Sequence, residues 1–343
     1  MARFELDSLQ PVTSGLIADA ITAYLERHDK TLRKDVLDDM AAAFRRMTMK
    51  QLMAPRQDRK GHESTTSYTH PCPRKARLTY DGAAREAMRA RTLLKFLLGD
   101  MVELTVLGIA KLAGLDIGMN NEDLTIEGRD CKLIPVHPDG LLHHEGRWYN
   151  VEVKSCDSKT FDRWLEQGGP PDDWGYRTQA SVEIQAWRET TLEVNETCFV
   201  AVSTGSRQGS IAEWRLPFQP ELVDAWHQRR EDARQPNLPT IPYDAVPEIQ
   251  FVKGREIAAE LVASPHGEPA PRTDKNNKIY GWDVPTGRQI VPTVPCGYCD
   301  FLKTQCWTTA EMDMDGSKPI WIVPAKKSQV LASDAEFKQY MGT

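Results

Sequence analysis

No apolar run in this 343-residue sequence approaches the length that spans a bilayer. Its opening residues, MARFELDSLQ, have no apolar stretch of the kind a secretory leader carries, so the expectation is a cytoplasmic protein with no membrane role. A basic excess is missing too. Against 43 Lys and Arg stand 49 Asp and Glu, for a net charge of −6 and a pI near 5.8. A nucleic-acid partner would therefore have to be held by a local basic patch, not by a general positive field. Cysteine is scarce and odd in number, at seven. In a reducing compartment that excludes a disulfide framework. Internal repeats and low-complexity tracts are absent. What the chain has is a hydrophobic content of 40%, enough for one large domain or for a core with appended helices.

Periodicity divides the chain. Residues 14–50 read as two helices. Ser14 is placed to cap the first, and Leu32, Val36, Met40, Phe44 and Met47 form a stripe on the second. They suit a structural cap or a protein-partner surface better than chemistry. Residues 55–70 are polar and read as a mobile linker, followed by helices at 73–97 and 99–114. Strands are expected at 123–127, 132–136, 141–145, 147–154, 197–203 and 211–216. Helices are expected over Tyr176–Glu189 and Pro220–Arg234, and a loop insertion over 166–173. Residues 235–295 read as irregular, with one short helix over Arg255–Val262. The fold class is α/β, with a mixed central sheet flanked by helices. The expected domains are a helical region and linker over 1–70, a core over 71–235, and an irregular, cysteine-bearing region over 236–343.

The stretch His137-Pro138-Asp139-Gly140, followed by Val151-Glu152-Val153-Lys154-Ser155, is where chemistry concentrates. A two-residue hairpin turn at Glu145-Gly146 sets Asp139 opposite Glu152 by simple counting. Facing residues on one sheet surface have Cβ atoms roughly 4.5–5.5 Å apart. Alternation puts Glu152 and Lys154 on one face and Val151 and Val153 on the other. Two carboxylates so close repel unless something offsets them. A hard divalent cation does so, and Mg²⁺ or Mn²⁺ suits oxygen ligands. The plainer alternative is a solvated hairpin with a surface Glu–Lys pair, and a three-residue loop would break the facing. Glu103 lies at the margin of an apolar helical stripe formed by Val102, Val106 and Ile109. It is either a third metal-directed carboxylate or, more plainly, a residue that faces solvent or pairs with Lys111 or Arg91.

Cys131, Cys156 and Cys198 stand singly in strand-like contexts and read as ordinary buried thiols. Cys296, Cys299 and Cys306 form C-x2-C-x6-C, and Cys72 stands apart in HPCPRKARL. Four thiolates suit zinc and iron–sulfur clusters alike, and spacing does not separate them. Arg74, Lys75, Arg77, Arg85, Arg89 and Arg91 make either a phosphate track or a solvated helix face. Trp164, Trp174 and Tyr176 either stack on unpaired bases or pack in the core.

Taken in order, Gly99-x3-Glu103, His-Pro-Asp139-Gly, Glu152-Val-Lys154 and Gln179 on a following helix resemble the motifs of PD-(D/E)XK nucleases, the RecB-like exonuclease branch most of all. Cys72 before these motifs and the cysteine triad after them resemble the iron–sulfur members of that branch, which include CRISPR-adaptation and recombination exonucleases. The likeness covers about 72–190 and 295–307. It implies a restriction-endonuclease-like core in which Glu103, Asp139, Glu152 and the Val153 carbonyl hold Mg²⁺ or Mn²⁺. Lys154 would orient and help deprotonate the attacking water, or stabilise charge developing on the phosphate, with Gln179 near the lysine or the DNA. Cys72, Cys296, Cys299 and Cys306 would bind a 4Fe–4S cluster, with zinc as the competing occupant.

Two positions depart from the pattern. Glu103 stands where many relatives have histidine, and Gln179 is followed four residues on by Glu183 where relatives have tyrosine. The function implied is a metal-dependent DNA exonuclease acting on ends or single strands, in recombination, replication, repair or CRISPR adaptation. The alternative is a DNA-end-binding or adaptor protein with little or no nuclease activity. A restriction-type endonuclease ranks third, because no separate recognition domain is evident.

Overall fold

A computed structural model describes residues 14–27, 29–53, 63–85, 90–119, 124–205, 210–239, 246–252, 270–274, 277–290, 305–306, 311–315 and 318–323. The chain divides into two units, one of residues 1–83 with 87–238 and another of 84–86 with 239–343.

The first unit is mixed α/β. Its elements are α1 (Leu16–Glu26), α2 (Lys34–Met53), α3 (Thr66–Thr69), α4 (Pro73–Tyr80), α5 (Ala90–Leu112), β1 (Asp116–Met119), β2 (Leu124–Glu127) and β3 (Leu133–Val136). They continue with β4 (Gly140–His144), β5 (Arg147–Cys156), α6 (Ser158–Glu166), α7 (Tyr176–Glu189), β6 (Val194–Ser203), β7 (Ile211–Pro217) and α8 (Pro220–Arg234). The central sheet has the order β1-β4-β5-β6-β7. Its β5–β6 pair is parallel and its other pairs are antiparallel. The parallel pair requires a crossover, which α6 and α7 supply.

Strand β6 is buried on both faces, as parallel strands covered on two sides are. Cys198 and Val200 pack with Val151 and Val153 of β5 against Ile17 and Ile21 of α1 and Val106 and Leu107 of α5. Phe199 and Ala201 face the other way, toward Phe161 and Trp164 of α6 and Ala180 of α7. A third cluster joins the β2–β3 hairpin to α7 and α8 through Ile126, Ile134, Ile184, Trp187 and Trp226.

Several expectations are corrected. The helix break expected near residue 98 falls at Asp81-Gly82, where Gly82 takes φ 63°, and α5 runs unbroken through Gly99. A glycine in a helix interior costs only about 1 kcal/mol and does not end it. Ser14 donates to Asp19 Oδ2 (2.9 Å) instead of capping α1. The open amides of that helix, those of Ile17 and Ala18, donate to Glu213 Oε2 at 2.8 and 3.0 Å, a buried carboxylate 196 residues away from Ile17 in sequence. On α2, Val36 and Ala43 are buried and Phe44 is exposed, while Leu32 lies exposed ahead of the helix.

The latter part of the expected linker is docked. Glu63 pairs with Arg230 and Arg234, and Tyr68, Thr69 and His70 are buried. Cys131 lies exposed in a turn at φ 58°, while Cys156 is half-buried and Cys198 fully buried. Strand β1 and helix α6 were not anticipated, the first because four residues carry too little pattern.

In the second unit, β8 (Val246–Val252), β9 (Ala270–Thr273), β10 (Ile279–Ile290), β11 (Glu311–Asp315) and β12 (Lys318–Val323) form an antiparallel sheet. Residues 246–252, 270–273 and 279–290 are therefore strands where irregular chain was expected. Their apolar residues are interrupted by Pro and charge, which hides period-two alternation. The helix expected over Arg255–Val262 lies outside the described residues. No helix among the described residues is long and apolar enough to cross a membrane.

Candidate active site

The hairpin that carries the motif turns where the sequence places it. Glu145 and Gly146 both take positive φ, 49° and 76°, as a two-residue turn with the strands' own twist requires. Pairing runs from His144 against Arg147 to Gly140 against Val151, so the next position outward sets Asp139 against Glu152. The two are locked by a bond across the hairpin mouth. Asp139 Oδ2 accepts the backbone N–H of Val153 at 2.7 Å, continuing the ladder with a side chain where the strand has ended.

Lys154 lies on the same face as Glu152. Its Nζ is ion-paired to Glu152 Oε1 and lies 3.9 Å from Asp139 Oδ2. Burial differs sharply between these groups. The Glu152 side chain is 0% exposed, Asp139 14% and Lys154 25%, so the cluster is closed at its base and open to solvent at Asp139 and Lys154.

Electrostatics follow from that geometry. Burial and then the Asp139 charge push the Glu152 carboxyl up to about 7, against the pull of Lys154. Burial also raises Asp139, opposed by Lys154 and by the Val153 N–H. For Lys154, burial alone would lower the pKa, but the charges of Glu152 and Asp139 outweigh it and the ammonium is held protonated. Glu103, half-buried on α5, rises to about 9 through burial first and then the charge of Asp139, with smaller contributions from Glu152 and Asp100. Carboxylates on β5, on the approach to β4 and on α5 therefore share one field.

A fourth acid joins them from α7. That helix is started by Asp172, whose Oδ1 accepts from the amides of Arg177 and Thr178 at 2.8 and 3.0 Å. Gly175 precedes it at φ 79°, and a Cβ there would collide with the Thr69 carbonyl. So anchored, α7 presents Gln179 and Glu183 to β5. Gln179 Nε2 donates to Glu183 Oε1 at 2.8 Å, and Asn150 Nδ2 to Glu183 Oε2 at 2.9 Å. Glu183 is 1% exposed and its carboxyl is pushed well up by burial and by the Glu152 charge. Sequence reasoning noted Glu183 only as a departure from a pattern and missed Asn150. Strand alternation was the available signal, since Asn150, Glu152 and Lys154 are successive residues of one face.

The donors suit a hard divalent cation by chemistry. All are oxygens, and neither oxygen of buried Glu152 receives a directed hydrogen bond. No three His, Cys, Asp or Glu side chains among the described residues converge on a common point, and the Lys154 ammonium lies within the gap.

The other predicted residues are dispersed. Cys72 is nearly buried, and its Sγ accepts the Lys75 amide at 3.4 Å to cap α4. Cys306 is half-buried, and Cys296 and Cys299 lie outside the described residues. Arg77 is a structural cation, paired with Asp81 at 2.7 Å and donating to the carbonyls of Ala233 and Gln235. Arg89 lies outside the described residues, as does the side chain of Arg91. Trp164 is a core residue, edge-on to Tyr176 and Phe199 at 5.6 Å each. Trp174 is half-buried against His70, and Tyr176 is half-buried.

No protein family matches this chain, and no curated protein does. Among solved structures, the crystal structure of SSO0001 is similar at 14% identity, over 57% of this chain and 85% of that one, with a TM-score of 0.35. A likeness so distant carries no argument about activity.

Proposed function

We propose that this chain is a metal-dependent DNA exonuclease built on a restriction-endonuclease-like core of the RecB-like type. The observation that carries the reading is the Asp139–Val153 bond, which holds Asp139 beside Glu152 and Lys154 at the open mouth of one hairpin. Glu103, Asp139, Glu152 and the carbonyl of Val153 would hold Mg²⁺ or Mn²⁺. When bound there, such a cation polarises the scissile phosphate and lowers the pKa of its water. Lys154 brings a positive charge to the accessible side of the cluster, where it orients the water and steadies charge growing on the phosphate oxygens. Glu152 and Asp139 fix that ammonium in place. Gln179 acts at one remove, through its bond to Glu183. The substrate is DNA with ends or single-stranded character.

The decisive measurement uses single- and double-stranded DNA, labelled separately at each end, with Mg²⁺, Mn²⁺ or EDTA. Metal-dependent loss of label progressing from one end is expected. Tight binding of ends with no cleavage under Mn²⁺ overturns the reading in favour of a DNA-end-binding adaptor.

Cys72, Cys296, Cys299 and Cys306 are proposed to hold a 4Fe–4S cluster that staples the fold and performs no redox chemistry. Protein purified without oxygen is expected to be brown and to carry iron and sulfide. Colourless protein carrying zinc instead assigns the site to zinc.

A further inference from the structure

Tyr176 is the first residue of α7, and its ring is engaged in the core. Trp164 meets it edge-on with centroids 5.6 Å apart, and Phe199 lies tilted against it at 5.9 Å. Its hydroxyl is not engaged. It makes no hydrogen bond among the described residues, and Tyr176 is only half-buried, so the hydroxyl lies toward solvent. A phenol can both donate and accept, and beside a core it ordinarily finds a partner.

Two independent observations set this hydroxyl beside the hairpin cluster. On α7, Tyr176, Gln179 and Glu183 follow at helical spacing and share a face. Glu183 meets Asn150 at 2.9 Å, which pins the far end of that row to β5. The row spans about 10 Å, against about 13 Å from Asn150 to Lys154 along the strand. On β6, Thr197 pairs with Asn150, Phe199 with Glu152 and Ala201 with Lys154. Because Tyr176 packs on Phe199, α7 runs back along β5 and its first residue comes level with Glu152, toward Lys154. Of the charges around Tyr176, that of Lys154 acts on it most strongly, with Glu152 next and Arg163 of α6 contributing.

We propose that Tyr176 is a substrate-binding residue of this site: its hydroxyl donates to a non-bridging oxygen of the DNA phosphate that Lys154 faces. The inference rests on the nuclease reading. An ammonium is a point charge that attracts an anion from any side. A neutral hydroxyl on a ring locked by Trp164 and Phe199 adds direction, because it fixes where one phosphate oxygen sits. The contact forms when DNA binds and persists through the reaction, so it acts on binding.

The test is the initial rate of DNA hydrolysis with Mg²⁺ or Mn²⁺ over a range of DNA concentrations. Wild type, Tyr176→Phe and Tyr176→Leu are compared in the full chain, with a thermal melt of each. Phenylalanine keeps the ring on Trp164 and Phe199 and loses only the unbonded hydroxyl, so its melting temperature is expected at the wild-type value. Its KM is expected to rise about 10-fold, the size of one hydrogen bond to a charged group. The rise should fall on KM and not on kcat, as loss of a contact common to ground and transition states requires. Leucine gives up the ring as well, and is expected to melt lower with KM raised to a similar extent. An unchanged KM in Tyr176→Phe overturns the contact. A KM that rises only in Tyr176→Leu marks a packing role and overturns it too. Wild type that cleaves no DNA with either metal overturns the nuclease reading itself, which keeps the two failures apart.

Discussion

Lys154→Ala is expected to reduce Mg²⁺- or Mn²⁺-dependent DNA hydrolysis by about 10²–10⁴-fold, the range over which a single positioned proton-transfer or charge-stabilising group contributes. The side chain is 25% exposed and makes its ion pairs only to Glu152 and Asp139 among the described residues, so its removal leaves the hydrophobic layers intact. It does strip the opposite charge from a carboxylate that is 0% exposed. The metal-free variant should therefore melt below wild type, and added Mg²⁺ should raise its melting temperature more than that of wild type. Cleavage assays and thermal melts on the same preparation check both halves. Undiminished cleavage by a folded variant removes Lys154 from the chemistry and takes the assignment of this site with it.

Arg230→Met is expected to cost about 3 kcal/mol of stability, because it leaves the nearly buried Glu63 carboxylate with Arg234 as its remaining arginine partner. Arg230 is 1% exposed. It grips Glu63 with Nε and Nη2 at 3.0 and 3.1 Å and Asp130 with Nη1 at 2.6 Å. Arg234 closes the ring on the same two acids at 2.8 and 2.7 Å. The same ring predicts a pH dependence. Burial alone would raise the Glu63 and Asp130 carboxyls, but the bonds from Arg230 and Arg234, with Tyr68 assisting at Glu63, hold both below the ordinary carboxylate range. The unfolded chain therefore takes up protons first on acidification. The ring's contribution is complete above about pH 4–5, where unfolded carboxylates are ionised, and is lost as pH falls through the lower folded values. Urea midpoints measured between neutral and acidic pH should fall steeply for wild type and more gently for Arg230→Met. Parallel curves would show that the ring does not set acid stability.

The site was legible in the sequence to the extent that it is local. A β-hairpin with a two-residue turn has a register fixed by counting, so Asp139, Glu152 and Lys154 were placed by arithmetic. Glu103 was readable as a charged residue on the margin of an apolar helical stripe. Its share in the same field depends on how α5 packs against β5, which no spacing expresses. Glu183 was out of reach for the same reason. It belongs to α7, and only the parallel crossover from β5 to β6 brings that helix over Asn150 and Glu152.

Residues 63–70 show the opposite failure. Polar composition reads as linker, yet Glu63 and Tyr68 are docked because two arginines on α8, more than 160 positions away, neutralise and hold the segment.

By itself, the sequence determined the hairpin, its register, the helices with clear periodicity and the chemistry available at the motif, because period and turn residues act over a few positions. The tertiary structure alone decided which acids share a field, which arginines are structural, and how α1 is capped by Glu213. Those outcomes depend on burial and on partners distant in the chain, and the desolvation of a charge is a property of the packed interior, not of the residues beside it in sequence.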